Sequence, residues 1–223
     1  MYDYVLFDLD GTLTDSARGI INSIISALKE WNIEVEDRSE LQCFVGPPLL
    51  ESFSKKYGFS PEKSMECVMN FRKYFQKTGM FENEVYEGVP EMLEAIRASG
   101  KKIILATAKP EMFAEKILEH FDIKKYFDYI GGASQDETRI RKPEVIDYVL
   151  DKAGIDKNDK DDIMKKVVMV GDRNDDVLGA KMFGLDTIAV LYGYGSREEL
   201  ETAGAKYFAE TPEKVLEILG IMD

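Results

Sequence analysis

Two aspartates one residue apart, Asp8 and Asp10, follow directly on the apolar run Tyr4-Val5-Leu6-Phe7. Four apolar or aromatic residues in a row read as a buried strand, and Asp10-Gly11-Thr12 reads as the turn that ends it. Carboxylates so close repel each other and lose hydration, so a fold keeps them only with a compensating charge. A divalent cation fits that role, and hard oxygen ligands suit Mg²⁺. Three further polar clusters fall where a strand ends or a helix begins. Thr107-Ala108-Lys109 follows the apolar Ile103 to Ala106, Arg141-Lys142-Pro143 opens a helix, and Gly171-Asp172-Arg173-Asn174-Asp175-Asp176 follows Val167 to Val170. An open α/β sheet brings such points together in one crevice at the carboxyl ends of its strands.

The elements around these clusters alternate. Residues 101–106, 127–130, 167–170, 187–191 and 206–208 read as strands; residues 89–98, 110–119, 143–153, 177–183, 197–202 and 212–219 read as helices. Alternation of this kind implies a parallel sheet covered by helices on both faces, a Rossmann-like three-layer α/β/α core. The first strand stands alone, with its partners beyond residue 100. Between them lies a stretch of helices. Ile20, Ile21, Ile24, Ile25 and Leu28 form one apolar stripe ending near Trp31, and residues 39–44, 49–57 and 61–77 complete the block, with Pro61 at a helix start. The expected organisation is therefore a core of residues 1–15 and 82–223 carrying an inserted α-helical cap of residues 16–81. The charge-rich stretch 156–166 reads as a solvated loop and short helix.

Composition removes several function classes. The net charge of −13 leaves no basic face for a nucleic acid. No apolar run reaches membrane-spanning length, and Asp3, Asp8 and Asp10 leave no room for a signal segment, so a cytoplasmic location is the default expectation. Cys43 and Cys67 have no metal-like spacing and read as small buried apolar residues in a reducing compartment. His120, the one histidine, reads as a helix C-terminal residue, which argues against Ser-His-Asp or Cys-His chemistry.

Along essentially its whole length, the chain resembles the haloacid dehalogenase superfamily, in the phosphatase branch with a helical cap. Residues 8–16, Asp8 to Ser16, look like the first motif, Thr107 the second, Lys142 the third and Gly171 to Asp176 the fourth, in matching order and spacing. The resemblance implies Asp8 as a nucleophile that forms an aspartyl-phosphate and Asp10 as the acid/base. Thr107 would then bond a phosphoryl oxygen, and Lys142 would offset the charge on Asp8 and the phosphate. Mg²⁺ would be held by Asp8, the Asp10 carbonyl and Asp172, with Asp176, or its neighbour Asp175, serving the same site. Gly11 and Thr12 would wrap the phosphate, with Ala108 and Lys109 near its pocket. Ordinary structural roles remain open for single members: Thr107 as a strand-end β-former, Lys142 as a surface charge, and the Asp172–Asp176 stretch as an acidic helix cap.

Within that family, the second aspartate distinguishes the chain from the dehalogenases and the phosphonate-cleaving type. The absence of histidine in Ser16-Ala17-Arg18-Gly19-Ile20 distinguishes it from the β-phosphoglucomutase type. Phe44-Val45-Gly46-Pro47-Pro48-Leu49 and Ala106-Thr107-Ala108-Lys109-Pro110 look like the phosphoglycolate-phosphatase-like subfamily. The expectation is a Mg²⁺-dependent hydrolase of small phosphate esters, monomeric or homodimeric, with no membrane or nucleic-acid partner. A nucleotidase or pyrophosphatase is the alternative, and a non-catalytic regulatory paralogue is the reading from another class. Arg18, Gly46 and Arg72 are the cap residues expected to face the substrate, Arg72 with a solvated helix face as its competing role.

Overall fold

The computed structural model describes residues 2–136, 138–157 and 159–222. Its strands are β1 (Tyr4–Phe7), β2 (Thr14–Asp15), β3 (Glu84–Val85), β4 (Lys102–Pro110), β5 (Tyr129–Ala133), β6 (Val167–Gly171), β7 (Asp186–Val190) and β8 (Tyr207–Ala209). Its α-helices are α1 (Ala17–Lys29), α2 (Leu49–Tyr57), α3 (Pro61–Lys77), α4 (Val89–Ala98), α5 (Glu111–His120), α6 (Lys142–Lys152), α7 (Lys160–Lys166), α8 (Asn174–Met182), α9 (Arg197–Ala203) and α10 (Pro212–Ile218).

Six strands form one parallel sheet in the order β5-β4-β1-β6-β7-β8. Alternate residues of β1 serve opposite faces, as the two-residue period of a strand requires. Val5 and Phe7 join the apolar cluster shared with α4, α5 and α10, while Leu6 joins the cluster built with α6 and Ala180 of α8. The result is the expected three-layer α/β/α arrangement. The chain leaves β1 for β4 on one side and reaches β6 on the other, so the end of β1 is the topological switch point where such sheets open a crevice.

Between β2 and β3 the chain is helical. Helix α3 begins with Pro61 in its first turn and with the Ser60 side chain accepting from the Lys63 amide, so the cap is legible in the sequence. Helix α1 packs on α3, and α3 on α2. Strands β2 and β3 pair antiparallel, Thr14 with Val85 and Asp15 with Glu84, at the two points where this block meets the rest of the chain.

Three local readings differ from expectation. Strand β4 continues past Ala106 to Pro110, but its pairing with β5 shifts register there, leaving Thr107 to Lys109 on an irregular strand end. The segment at residues 38–44 is a 3-10 helix that turns Leu41 and Phe44 inward and so leaves Cys43 exposed, while Cys67 is buried as expected. Both thiols are free. No helix among the described residues is long and apolar enough to cross a membrane.

Candidate active site

Asp8 emerges from the carboxyl end of β1, its amide donating to the Val170 carbonyl of β6 at 3.0 Å. Asp172 follows the end of β6, and Asp176 lies in the first turn of α8. Oxygen atoms of Asp8, Asp172 and Asp176 all fall within 4.8 Å of one another, and all three residues are buried. Asp175 is exposed, so the structure brings Asp176 and not its neighbour into the cluster. Its turn geometry explains why. The Asp176 carboxylate caps α8 by accepting from the Arg173 amide at 3.1 Å, which points it back under the sheet edge.

Lys142, at the start of α6, is 4% exposed and reaches this cluster from the opposite side. Its ammonium lies 2.8 Å from Asp8 Oδ1 and 2.7 Å from Asp176 Oδ1, and donates to the Ala106 carbonyl at 2.9 Å. Burial opposes its charge, but Asp176 and Asp8 hold the Lys142 ammonium above its ordinary range. Burial pushes Asp172 well above the usual carboxylate range, with the Asp176 and Asp8 charges adding to it. Burial also raises Asp176, to about 6, against the attraction of Lys142. Three carboxylates facing one ammonium leave two negative charges uncompensated. Apart from the Lys142 ammonium, Asp8 Oδ1 and Asp176 Oδ1 have no polar partner among the described residues, so each keeps a lone pair available. An all-oxygen donor set with that deficit fits a divalent cation such as Mg²⁺.

Asp10 turns away from this cluster. Its Oδ2 pairs with Lys109 Nζ at 2.6 Å, both side chains buried, and the ammonium lies 4.9 Å from the centre of the Phe75 ring. Gly11 has a φ of +82°, and a Cβ there would sit 2.2 Å from Asp172 Oδ2, so only glycine lets the chain turn past this carboxylate. Thr12 donates to Asp172 Oδ1 at 3.2 Å. Gly11 and Thr12, expected beside the phosphate, thus shape the surroundings of Asp172. The Thr107 hydroxyl is buried and accepts the Lys109 amide at 3.2 Å.

Two clefts meet here, sharing Gly46, Pro48 and Ala108 in their walls. Asp8, Lys142, Arg173 and Asp176 line one, and Asp10, Lys109 and Arg72 line the other, with a ring of apolar side chains. Arg18 reaches neither. The α1 stripe that buries Ile20, Ile21 and Ile24 leaves Arg18 exposed, on the side of Tyr74. Gly46 lines both clefts, and Arg72 lines the one that holds Asp10.

Sequence reasoning missed Tyr194. Its amide donates to Asp172 Oδ2 at 2.8 Å, while its hydroxyl donates to Asp15 Oδ1 at 2.8 Å and accepts from the Ala17 amide at 2.9 Å. Tyr192 donates to the Thr12 carbonyl at 3.1 Å. The available signal was position, since residues 191–195 follow directly on β7 and so lie on the same sheet edge.

Residues 5–190 match the model of the haloacid dehalogenase-like hydrolases. A 5'-nucleotidase of Pseudomonas aeruginosa is 42% identical over 89% of this chain and 87% of its own. The tyrosine-protein kinase PtkA of Mycobacterium tuberculosis is 35% identical over 97% of this chain and 72% of its own. Proteins named pyrophosphatase and phosphoglycolate phosphatase also match along nearly the whole chain. The solved structure of a protein described as a predicted phosphatase from Clostridium acetobutylicum superposes with a TM-score of 0.93, at 42% identity over 100% of both chains. With the sheet, the acidic cluster and the buried lysine in these positions, the chain belongs to the haloacid dehalogenase-like hydrolase family and is an enzyme of its phosphatase type.

Proposed function

We propose that this protein hydrolyses small phosphate monoesters with the help of Mg²⁺, through an aspartyl-phosphate on Asp8. The observation that carries the reading is the convergence of Asp8, Asp172, Asp176 and Lys142 on one edge of the sheet, with Asp10 one residue from Asp8. Asp8, Asp172 and Asp176 would hold the cation, which when bound supplies charge neutralisation at the transferring phosphoryl group.

The chemistry of the chain's own groups follows. An Asp8 carboxylate oxygen bonds to phosphorus while the ester P–O bond breaks. The electron pair leaves with the ester oxygen, which takes a proton from the Asp10 carboxyl. Water then bonds to phosphorus, the Asp8 O–P bond breaks, and Asp10 takes back a proton. Lys142 steadies Asp8 and the phosphoryl oxygens in both halves. Lys109, at 2.6 Å from Asp10, holds that carboxyl at the apolar cleft that both line. Residues 16–81 act as a cap on a core of residues 1–15 and 82–223, turning on the β2–β3 pair to admit substrate and water in turn.

The test is phosphate release from p-nitrophenyl phosphate with and without Mg²⁺, beside Asp8→Asn. The wild type should need the ion, and the variant should lose at least about a thousandfold in kcat. Comparable rates in the two proteins would remove Asp8 as nucleophile.

A further inference from the structure

The two clefts that meet at the site differ in their walls and in their access to solvent. Every described residue lining the cleft that holds Asp10 is buried or half-buried. Its walls are apolar, and Phe71, Phe75 and Phe113 pack there ring against ring. The cleft that holds Asp8 runs out instead to exposed residues: Glu51, Arg141, Asp175, Leu178 and Met182. One continuous space therefore joins the buried Asp8 carboxylate to the surface beside α8, without passing the aromatic walls.

Cations mark this route from inside to outside. Lys142 lies 2.8 Å from Asp8 Oδ1, with its side chain 3% exposed. The Arg173 side chain is 18% exposed, and that of Arg141, at the rim, is 64% exposed. Arg141 pairs there with Glu51 of α2 at 2.9 Å, and a pair so open to water holds weakly. The inner carboxylates of Asp8 and Asp176 are drawn to Lys142, and Asp175 stands at the rim.

The reaction makes two products suited to opposite surroundings. The alcohol is released beside Asp10, at the apolar cleft. Inorganic phosphate is left at Asp8, and it is an anion. Passing it between phenylalanine rings would strip its hydration with nothing in return. Passing it along guanidinium groups offers paired N–H donors in place of the lost water.

We infer that the charged cleft is the exit route for inorganic phosphate, so that alcohol and phosphate leave the enzyme on different sides. This rests on the phosphatase reading above and adds a path to it.

The experiment narrows the mouth of the charged cleft. Leu178 and Met182 stand one helical turn apart on α8, 47% and 68% exposed, so both positions accept tryptophan without disturbing the core. Wild type and the double variant Leu178→Trp/Met182→Trp are loaded with inorganic phosphate and Mg²⁺, then mixed with excess fluorescent phosphate-binding probe. Phosphate should leave the variant about fivefold more slowly or worse. Its inhibition constant should stay within about twofold, because a narrowed route slows entry and exit alike. The first turnover of p-nitrophenyl phosphate, read as p-nitrophenol, should keep the wild-type rate. Equal exit rates in the two proteins overturn the inference. So does an equal loss in p-nitrophenol formation, which would place the obstruction at the chemistry and not at the exit. Failure of the underlying phosphatase reading looks different, with no p-nitrophenol from either protein.

Discussion

Lys142 is the only cation paired with Asp8 and Asp176 among the described residues, and all three are buried. Removing one partner from a buried ionic cluster costs about 3–5 kcal/mol. Lys142→Met should therefore lower both activity and metal-free stability by urea unfolding, with Mg²⁺ restoring part of the stability and little of the activity. Asp172 argues the other way. Its carboxyl is raised in the folded state, so folding binds a proton there that the unfolded chain releases near pH 4. The sign follows from linkage: this contribution falls as pH rises from about 4 upward, because the folded state must then hold the charge or keep the proton. Asp172→Asn removes that penalty, and its amide can still accept from the Tyr194 amide and face the Thr12 hydroxyl. Without metal, Asp172→Asn should be more stable than wild type at pH 7 by about 1–3 kcal/mol, with the difference shrinking toward pH 4. Stabilisation by Mg²⁺ should vanish in the same variant. Thermal melts at several pH values, with and without the ion, would show both effects.

Among the elements, α1 is held closest. A Cβ on Gly19 would lie 1.9 Å from the Gly79 carbonyl, and neither backbone can yield without separating α1 from the turn at residues 79–81. Gly19→Ala should cost about 1–3 kcal/mol or more, read by chemical denaturation, and should disturb the helical block before the sheet. Most elements could be read from local signals. Helices α2 and α3 lie where their apolar spacing and the Pro61 start put them, and β1, β6 and β7 where their apolar runs do. What stayed hidden depends on tertiary partners. Nothing local predicts that β4 runs on to Pro110, because the extension is stabilised by pairing with Ala133 of β5. Nor does the sequence show Lys109 paired with Asp10, since the two are 99 residues apart and each is an ordinary polar residue at a strand end. Arg18 was expected at the site from its closeness to the first motif along the chain. Helical phase, not chain distance, decides where a side chain points.

At the scale of the molecule, two arginines of the core reach the helical block across the cleft. Arg173 donates to the Val45 carbonyl at 2.9 Å, and Arg141 to Glu51 at 2.9 Å, the latter pair half exposed. An exposed ion pair contributes at most about 1 kcal/mol, and a charged hydrogen bond to a carbonyl about 1.5–3 kcal/mol. Arg141→Ala should change KM for p-nitrophenyl phosphate less than about threefold, while Arg173→Ala should raise it about tenfold; steady-state kinetics would separate them. Tyr194 adds a consequence of another kind. Its amide holds a carboxylate of the acidic cluster, and its hydroxyl holds Asp15 and the Ala17 amide where β2 leads into α1. It is a tie rod between the acidic cluster and the start of α1. Under the cation and cap roles proposed above, an ion held by Asp172 would be felt at Ala17 through this one residue. In Tyr194→Phe the rod is cut at the hydroxyl, and hydrogen exchange at the Ala17 amide should no longer respond to Mg²⁺.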